Sequence, residues 1–88
     1  MGKPALVLRS ELIRAARALV RWEQRDLAQA SAVSLPTIKR LESQPGIMAA
    51  HMSTVSALRK ALEAAGVEFI DENGGGPGAR LRKRQKPK

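Results

Sequence analysis

The stretch that decides the fold is Gln24–Glu42, which reads QRDLAQASAVSLPTIKRLE. It holds two short helical patterns separated by a turn, with Leu27 and Ala28 in the first and Ile38 and Leu41 in the second. Two short helices cross at a steep angle only where the side chains at the crossing are small or apolar at fixed offsets. The stretch therefore predicts a helix-turn-helix whose second helix keeps one face free.

Further helical patterns flank this stretch on both sides. Ser10 is predicted to cap a first helix, and Ser34 to cap the second helix of the helix-turn-helix. Ser53 is predicted to cap a fourth helix, which Gly66 ends. The connector Ile47–Met52 has room for one more turn of helix. Four to five helices are therefore expected.

After the helices, the alternating stretch Val67–Ile70 and a return at Ala79–Arg82 predict a β-hairpin. The alanine-rich composition, with only 2% aromatic residues, favours a helical core. The expected fold class is therefore all-α. It comprises a compact bundle of four to five helices over residues 9–66, a hairpin extension over residues 67–82, and a basic disordered tail over residues 83–88.

The charge of the chain is strongly basic and unevenly spread. The net charge is +8, and the segment Ala79–Lys88 holds six of the 16 basic residues and no acid. The segment Arg9–Arg40 holds seven basic residues against three acidic ones. This distribution favours a nucleic-acid partner. The basic tail is read either as an electrostatic arm or as a solubilising segment.

Several chemistries are excluded by the residue types present. The chain has no cysteine, and His51 is its only histidine, so we expect no disulfide, no metal site and no cofactor. The acids Glu63, Glu68, Asp71 and Glu72 lack a paired base or nucleophile, so we expect no enzymatic activity and no catalytic residue. No apolar run reaches membrane-spanning length and no signal-peptide pattern is visible. A cytoplasmic protein without a membrane partner is expected.

A further set of residues stands at characteristic spacings: Arg17, Gln24, Leu27-Ala28, Val33-Ser34, Thr37-Ile38 and Leu41-Glu42. With them, the segment from Leu12 to about Ala65 resembles the lambda-repressor-like, or XRE, helix-turn-helix family. The resemblance implies transcription regulation by sequence-specific binding to double-stranded DNA, at the nucleoid. A homodimer would then read a palindrome, with a recognition helix of about Ser34–Ser43 in the major groove.

The resemblance also implies roles for individual residues. It assigns phosphate contacts to Gln24 and Thr37, and Arg25 is read as a charge close to a phosphate. It implies an ion pair between Arg17 and Glu42 that bridges the first helix to the end of the recognition helix. The remaining DNA-binding candidates are base-facing or groove-lining: Ser34, Leu35, Pro36, Lys39 and Arg40.

Two residues depart from the pattern of the family. Ala32 stands where glycine is common in the turn, and it would cost about 1 kcal/mol or more if that position needs a positive φ. Glu23 stands where a Ser or Thr cap is common, so the second helix is expected to start less firmly. Both departures concern local stability, and neither removes the DNA-facing surface.

Other functions remain open at this point. The chain is also compatible with an antitoxin that binds a partner toxin through Val67–Lys88. An RNA-binding module is disfavoured, because Trp22 and Phe69 are the only aromatic residues and neither lies in a stacking motif. For the dimer, we expect the hairpin to dock on its own helices through Phe69 and to offer its free edge to a partner's strand.

Overall fold

The computed structural model of the chain describes residues 8–71 and 74–83. The predicted tail therefore lies largely outside the described residues, which stop at Lys83. Within them, four helices precede a two-stranded antiparallel sheet. The elements are α1 (Ser10–Leu19), α2 (Gln24–Ser31), α3 (Leu35–Ser43), α4 (Met52–Ala64), β1 (Val67–Ile70) and β2 (Gly78–Leu81).

The start of α1 differs from the predicted cap. Arg9 is the residue that precedes the helix, and Ser10 is its first helical residue. The Ser10 hydroxyl is buried and donates a hydrogen bond to the carbonyl oxygen of Gln44 at 2.6 Å. The Ser10 hydroxyl thus bonds to the loop after α3 and does not cap α1 as the sequence pattern predicted.

Two residues with positive φ end the first two helices. Arg21 has φ +58°, and the following amide of Trp22 donates back to the carbonyl of Arg17 at 2.8 Å. Ala32 has φ +64° directly after α2, and its own amide donates to the carbonyl of Ala28 at 2.9 Å. Left-handed residues at these positions satisfy the last carbonyls of a helix and reverse the chain. Both turns therefore use residues with a Cβ where glycine would be unstrained.

The core takes apolar side chains from every helix and from β1. Its largest fully buried members come from all four helices and from β1. The buried apolar residues are Leu8, Ile13, Ala16, Leu27, Ile38, Leu41, Met48, Val55, Leu58, Ala61, Leu62, Val67 and Phe69.

The predicted all-α, lambda-repressor-like bundle of four to five helices is wrong. Phe69 is 8% exposed, which confirms the predicted docking of the hairpin on its own helices. Val67 is also fully buried, so the hairpin is part of the folded body. β1 packs against α4 and β2 packs against α1. The pairing runs from Val67 opposite Leu81 to Ile70 opposite Gly78. The alanine-rich helices leave part of the core open, and the strands fill it, so the fold combines helices with a sheet.

The connector between α3 and α4 contains no additional helix within the described chain. Its residues instead pair with the segment before α1. The amide of Met48 donates to the carbonyl of Leu8 at 3.0 Å, and the amide of Ser10 donates to the carbonyl of Gly46 at 2.9 Å. This bridge satisfies the backbone of the connector, so no fifth helix is needed to do so.

Candidate nucleic-acid interface

The turn between α2 and α3 is held by hydroxyl groups. The Ser31 hydroxyl donates to the carbonyl of Leu27 at 2.7 Å and accepts from the amide of Val33 at 3.1 Å. The Ser34 hydroxyl caps α3 by accepting from the amide of Thr37 at 3.3 Å, and it donates to the Thr37 hydroxyl at 2.8 Å. These bonds fix the angle at which α3 leaves the turn.

The two faces of α3 differ sharply. Ile38 and Leu41 are each 1% exposed and anchor the helix to the core. Pro36, Lys39 and Arg40 are exposed on the opposite face. An apolar face that is fully used by the core leaves the polar face as a rigid, solvent-facing surface.

Most of the predicted DNA-contacting residues lie around two shallow clefts beside α3. One cleft, of about 380 Å³, is lined by Gln24, Arg25, Leu35 and Lys39 together with Arg17, Trp22 and Glu23. A second, of about 350 Å³, is lined by Thr37 and Arg40 together with Ala49, Ala50, His51 and Thr54. Ser34 lies apart from both, in a depression that it shares with Arg25 and Leu35.

The second cleft contains residues that the sequence did not indicate. The connector residues Ala49 and Ala50, with His51 and Thr54 at the start of α4, line it beside Arg40. A coil segment has no periodic pattern that reports which helix it passes. Only the tertiary arrangement places this connector beside α3.

The cations of this surface are not neutralised by acids. None of the ion pairs between described residues involves Arg25, Lys39 or Arg40. Glu42 on the same helix is buried and faces away from them. The outer face of α3 is therefore electropositive.

Arg17 and Glu42 lie in direct contact behind this surface. Arg17 Nε is 2.8 Å from Glu42 Oε2, and Arg17 Nη2 is 2.8 Å from Glu42 Oε1. Arg17 Nη1 also donates to the carbonyl of Trp22 at 3.0 Å. The side chains are 18% and 4% exposed. This bidentate pair, with two parallel hydrogen bonds, joins α1 to the end of α3.

Gln24 belongs to the same cluster. Its Nε2 donates to Glu42 Oε1 at 2.9 Å, from the first residue of α2. The start of α2 is further held by the Asp26 carboxylate, which accepts from the amide of Glu23 at 2.8 Å. Glu23 therefore takes part in a firm start of the helix through its backbone, although it replaces a Ser or Thr cap.

A second arginine contacts Glu42, and the sequence did not predict it. Arg14 Nη1 donates to the backbone carbonyl of Glu42 at 2.6 Å. Carbonyls in the last turn of a helix lack intrahelical partners, and a cation there is favourable. The available signal was the one-turn spacing of Arg14 and Arg17 on α1, which places both guanidinium groups toward the end of α3.

Among the described residues, two carboxyl groups have a lowered pKa, and both lie outside the α3 surface. Hydrogen bonds from its own backbone and from the amide of Gly46 lower the pKa of Glu11, and Arg9 and Arg14 add to this. The Arg80 side chain lowers the pKa of Glu68 through a hydrogen bond and through its charge. Both acids therefore hold contacts within the fold.

Within the described ranges, no cluster of His, Asp and Glu side chains is arranged to hold a metal ion. None of the helices in this part of the chain combines the length and apolar character needed to cross a membrane. The chain matches no protein-family model, and no curated protein is similar to it. The surface around α3 is therefore the feature from which a function can be inferred.

Proposed function

We propose that this protein is a helix-turn-helix regulator that binds double-stranded DNA with α3 in the major groove. One observation carries the proposal: α3 exposes Lys39 and Arg40, without acidic partners among the described ion pairs, on a helix whose other face is fully anchored. A major groove admits one α-helix, and cations on its outer face meet base edges and phosphates.

The residues of α3 suggest how bases would be read. Arg40 can donate two hydrogen bonds to the O6 and N7 atoms of a guanine, and Lys39 can contact either a base edge or a phosphate. Leu35 and Pro36 have no side-chain donor or acceptor, so they would pack on thymine methyl groups. The proposed readout therefore combines one strong polar contact with apolar contacts that favour A·T pairs.

The phosphate backbone would be held on both sides of α3. Arg25 and Gln24 lie at the start of α2 beside the first cleft, where unpaired helix amides favour an anion. Thr37 and Arg40 lie beside the second cleft, next to the start of α4. Contacts on both flanks would set the position of α3 in the groove.

The same reasoning favours two copies on one DNA site. A single recognition helix contacts only a few base pairs, which does not single out one site in a genome. Two copies with their α3 helices about 34 Å apart would read a palindrome. In this proposal the protein binds its operator as a dimer. Its location would be the nucleoid, in the cytoplasm.

Selection of bound sequences from a random pool of duplex DNA tests the proposal. We expect enrichment of a palindromic motif with a G·C pair in each half-site. Arg40→Ala should relax the preference at that pair, whereas Lys60→Ala, which removes an exposed cation of α4, should leave the motif unchanged. Failure of the full-length chain to enrich any motif would overturn sequence-specific binding.

Sedimentation with and without the selected duplex tests the dimer. A chain that stays monomeric at micromolar concentration with the duplex present would exclude it. Truncation at Gly66 is unsuitable for locating the interface, since it removes the buried Val67 and Phe69. The antitoxin alternative uses the same segment, but these two side chains are already occupied by the protein's own core.

A further inference from the structure

The carboxylate of Glu42 has more partners than an ion pair requires. Arg17 occupies both oxygens, and Gln24 Nε2 adds a third donor at Oε1, 2.9 Å away. The Glu42 side chain is only 4% exposed, so these contacts take place away from water. Removal of a donor or acceptor from such a cluster leaves a buried polar group without a partner.

The contact determines which way the Gln24 amide faces. A carboxylate paired with a guanidinium only accepts hydrogen bonds, so the amide must present its nitrogen to Glu42 and not its oxygen. One of the two N–H bonds of Nε2 is used by this contact. The second N–H remains for a group outside the cluster. The cleft lined by Gln24, Arg25 and Lys39 lies beside it.

We propose that Glu42 is a positioning residue that acts through Gln24. It holds the Gln24 side-chain amide so that the second N–H of Nε2 is directed to a phosphate of the DNA backbone. The inference rests on the proposed DNA-binding function and deepens it. A phosphate oxygen only accepts hydrogen bonds, so a freely rotating amide would present its oxygen to the phosphate part of the time. The buried carboxylate removes that orientation before DNA arrives, which lowers the entropic cost of binding.

The two possible effects of Glu42 on DNA affinity have opposite signs, so a substitution can tell them apart. Glu42→Gln removes a negative charge close to the DNA surface, and through electrostatics alone it would strengthen binding. If Glu42 acts by orienting Gln24, the same substitution weakens binding, by about tenfold for one hydrogen bond to a charged group. Gln24→Ala should weaken it at least as much, and Glu42→Gln should cause no further weakening in the Gln24→Ala background, where only the effect of the lost charge remains.

The experiment uses the full-length chain and a duplex obtained by selection. Each variant is first checked for folding by circular dichroism and Trp22 fluorescence, and affinity is measured well below the unfolding temperature. Glu42→Asp provides a second variant, because it keeps the charge but withdraws the carboxylate from Gln24. Glu42→Asp should also weaken binding. Since it retains the negative charge, a weakened affinity would then result from the lost contact with Gln24, and this holds even if Glu42→Gln does not fold.

Single methylphosphonate linkages give a readout that a general loss of stability does not change. Each phosphate of the duplex is replaced in turn by an uncharged methylphosphonate. At one position the replacement should weaken binding of the wild type much more than binding of the Gln24→Ala or Glu42→Gln variants, which lose only the general attraction of one charge. Equal sensitivity of all three proteins at every linkage would overturn the positioning role, as would a Glu42→Gln variant that binds as well as the wild type. If the wild type binds no duplex, the proposed function itself fails.

Discussion

At the scale of single residues, the turn of the helix-turn-helix stores strain at one position. Ala32 adopts φ +64°, ψ +15°, a left-handed conformation in which the Cβ of an L-residue is crowded by the following carbonyl. The turn nevertheless forms, because Leu27 on one side and Ile38 on the other are buried in the same core. Packing on both flanks thus compensates for an unfavourable residue between them.

Ala32→Gly should therefore stabilise the protein. Relief of the left-handed strain outweighs the greater chain entropy of glycine, and we expect a gain of about 0.5–1 kcal/mol in the free energy of unfolding. Urea denaturation followed by circular dichroism measures it. The control is Ala30→Gly, on an exposed helical position of α2, which should lose about 0.5–1 kcal/mol. A loss in both variants would contradict the strain at Ala32.

The Arg17–Glu42 pair should matter far more than an exposed pair. Arg17→Ala leaves a carboxylate that is 4% exposed without its main partner, and we expect a loss of about 3 kcal/mol in stability. Arg80→Ala breaks the exposed pair with Glu68 and should cost less than about 1 kcal/mol. Comparable urea midpoints for the two variants would show that the Arg17–Glu42 pair contributes little.

At the scale of elements, the segments around α1 and α3 are connected by polar contacts at their ends. The Glu11 carboxylate accepts from the amide of Gly46 at 3.2 Å, and the Ser10 hydroxyl donates to the carbonyl of Gln44. Gly46 has φ +91°, which allows the chain to turn sharply after α3. The first turn of α1 thus fixes the exit of α3.

The contact of Glu11 predicts a pH dependence. Since folding lowers the pKa of Glu11 below its ordinary value of 4.5, the stabilisation is present above that value and is lost as the pH falls through the folded-state pKa. Glu11→Gln should be less stable than the wild type at pH 7, and the difference should shrink in acid. Urea midpoints at pH 7 and at about pH 3 measure it, and a difference independent of pH would contradict it.

The hairpin should behave as part of the same cooperative unit as the helices. Phe69 is 8% exposed, and the Arg59 guanidinium lies 5.3 Å from the centre of its ring. Phe69→Ala should cost about 3 kcal/mol. Ile70→Ala, on the outer face of the same strand, is the matched control and should cost less than about 1 kcal/mol. Equal, small losses would mean that the hairpin is dispensable.

At the scale of the whole molecule, the charge is divided between different roles. Arg14 and Arg17 contact the end of α3, and Arg82 donates to the carbonyl of Glu63 at 2.7 Å, at the end of α4. These cations stabilise the fold. Lys39 and Arg40 are exposed and have no such contact among the described hydrogen bonds, and they are the cations that we propose for contact with DNA.

This division predicts how salt acts on DNA binding. Log affinity should fall linearly with log salt concentration, with a slope of about −0.9 for each phosphate neutralised. Deletion of residues 84–88, which leaves Arg82 in place, should flatten the slope and keep the preferred sequence. The assignment of the tail to non-specific attraction would be contradicted if the deletion abolished discrimination between sites and left the slope unchanged.

The sequence by itself determined the features that depend on neighbours along the chain. Apolar periodicity, the Ser34 cap and the glycine after α4 located the four helices, and alternation located β1, since each signal acts within a few residues. The resemblance of the motif spacing to a known family also predicted Arg17 and Glu42 as partners, and the two side chains lie in contact.

The tertiary structure decided what depends on residues far apart in the chain. The sequence predicted that Phe69 docks on the helices, but the full burial of Val67, which makes the hairpin part of the core and overturned the all-α expectation, requires the helices to leave a gap of the right size. The direction of the Gln24 amide depends on a carboxylate 18 positions away. Such contacts form only when separate elements pack together, and the packing of side chains across elements has no period along the sequence.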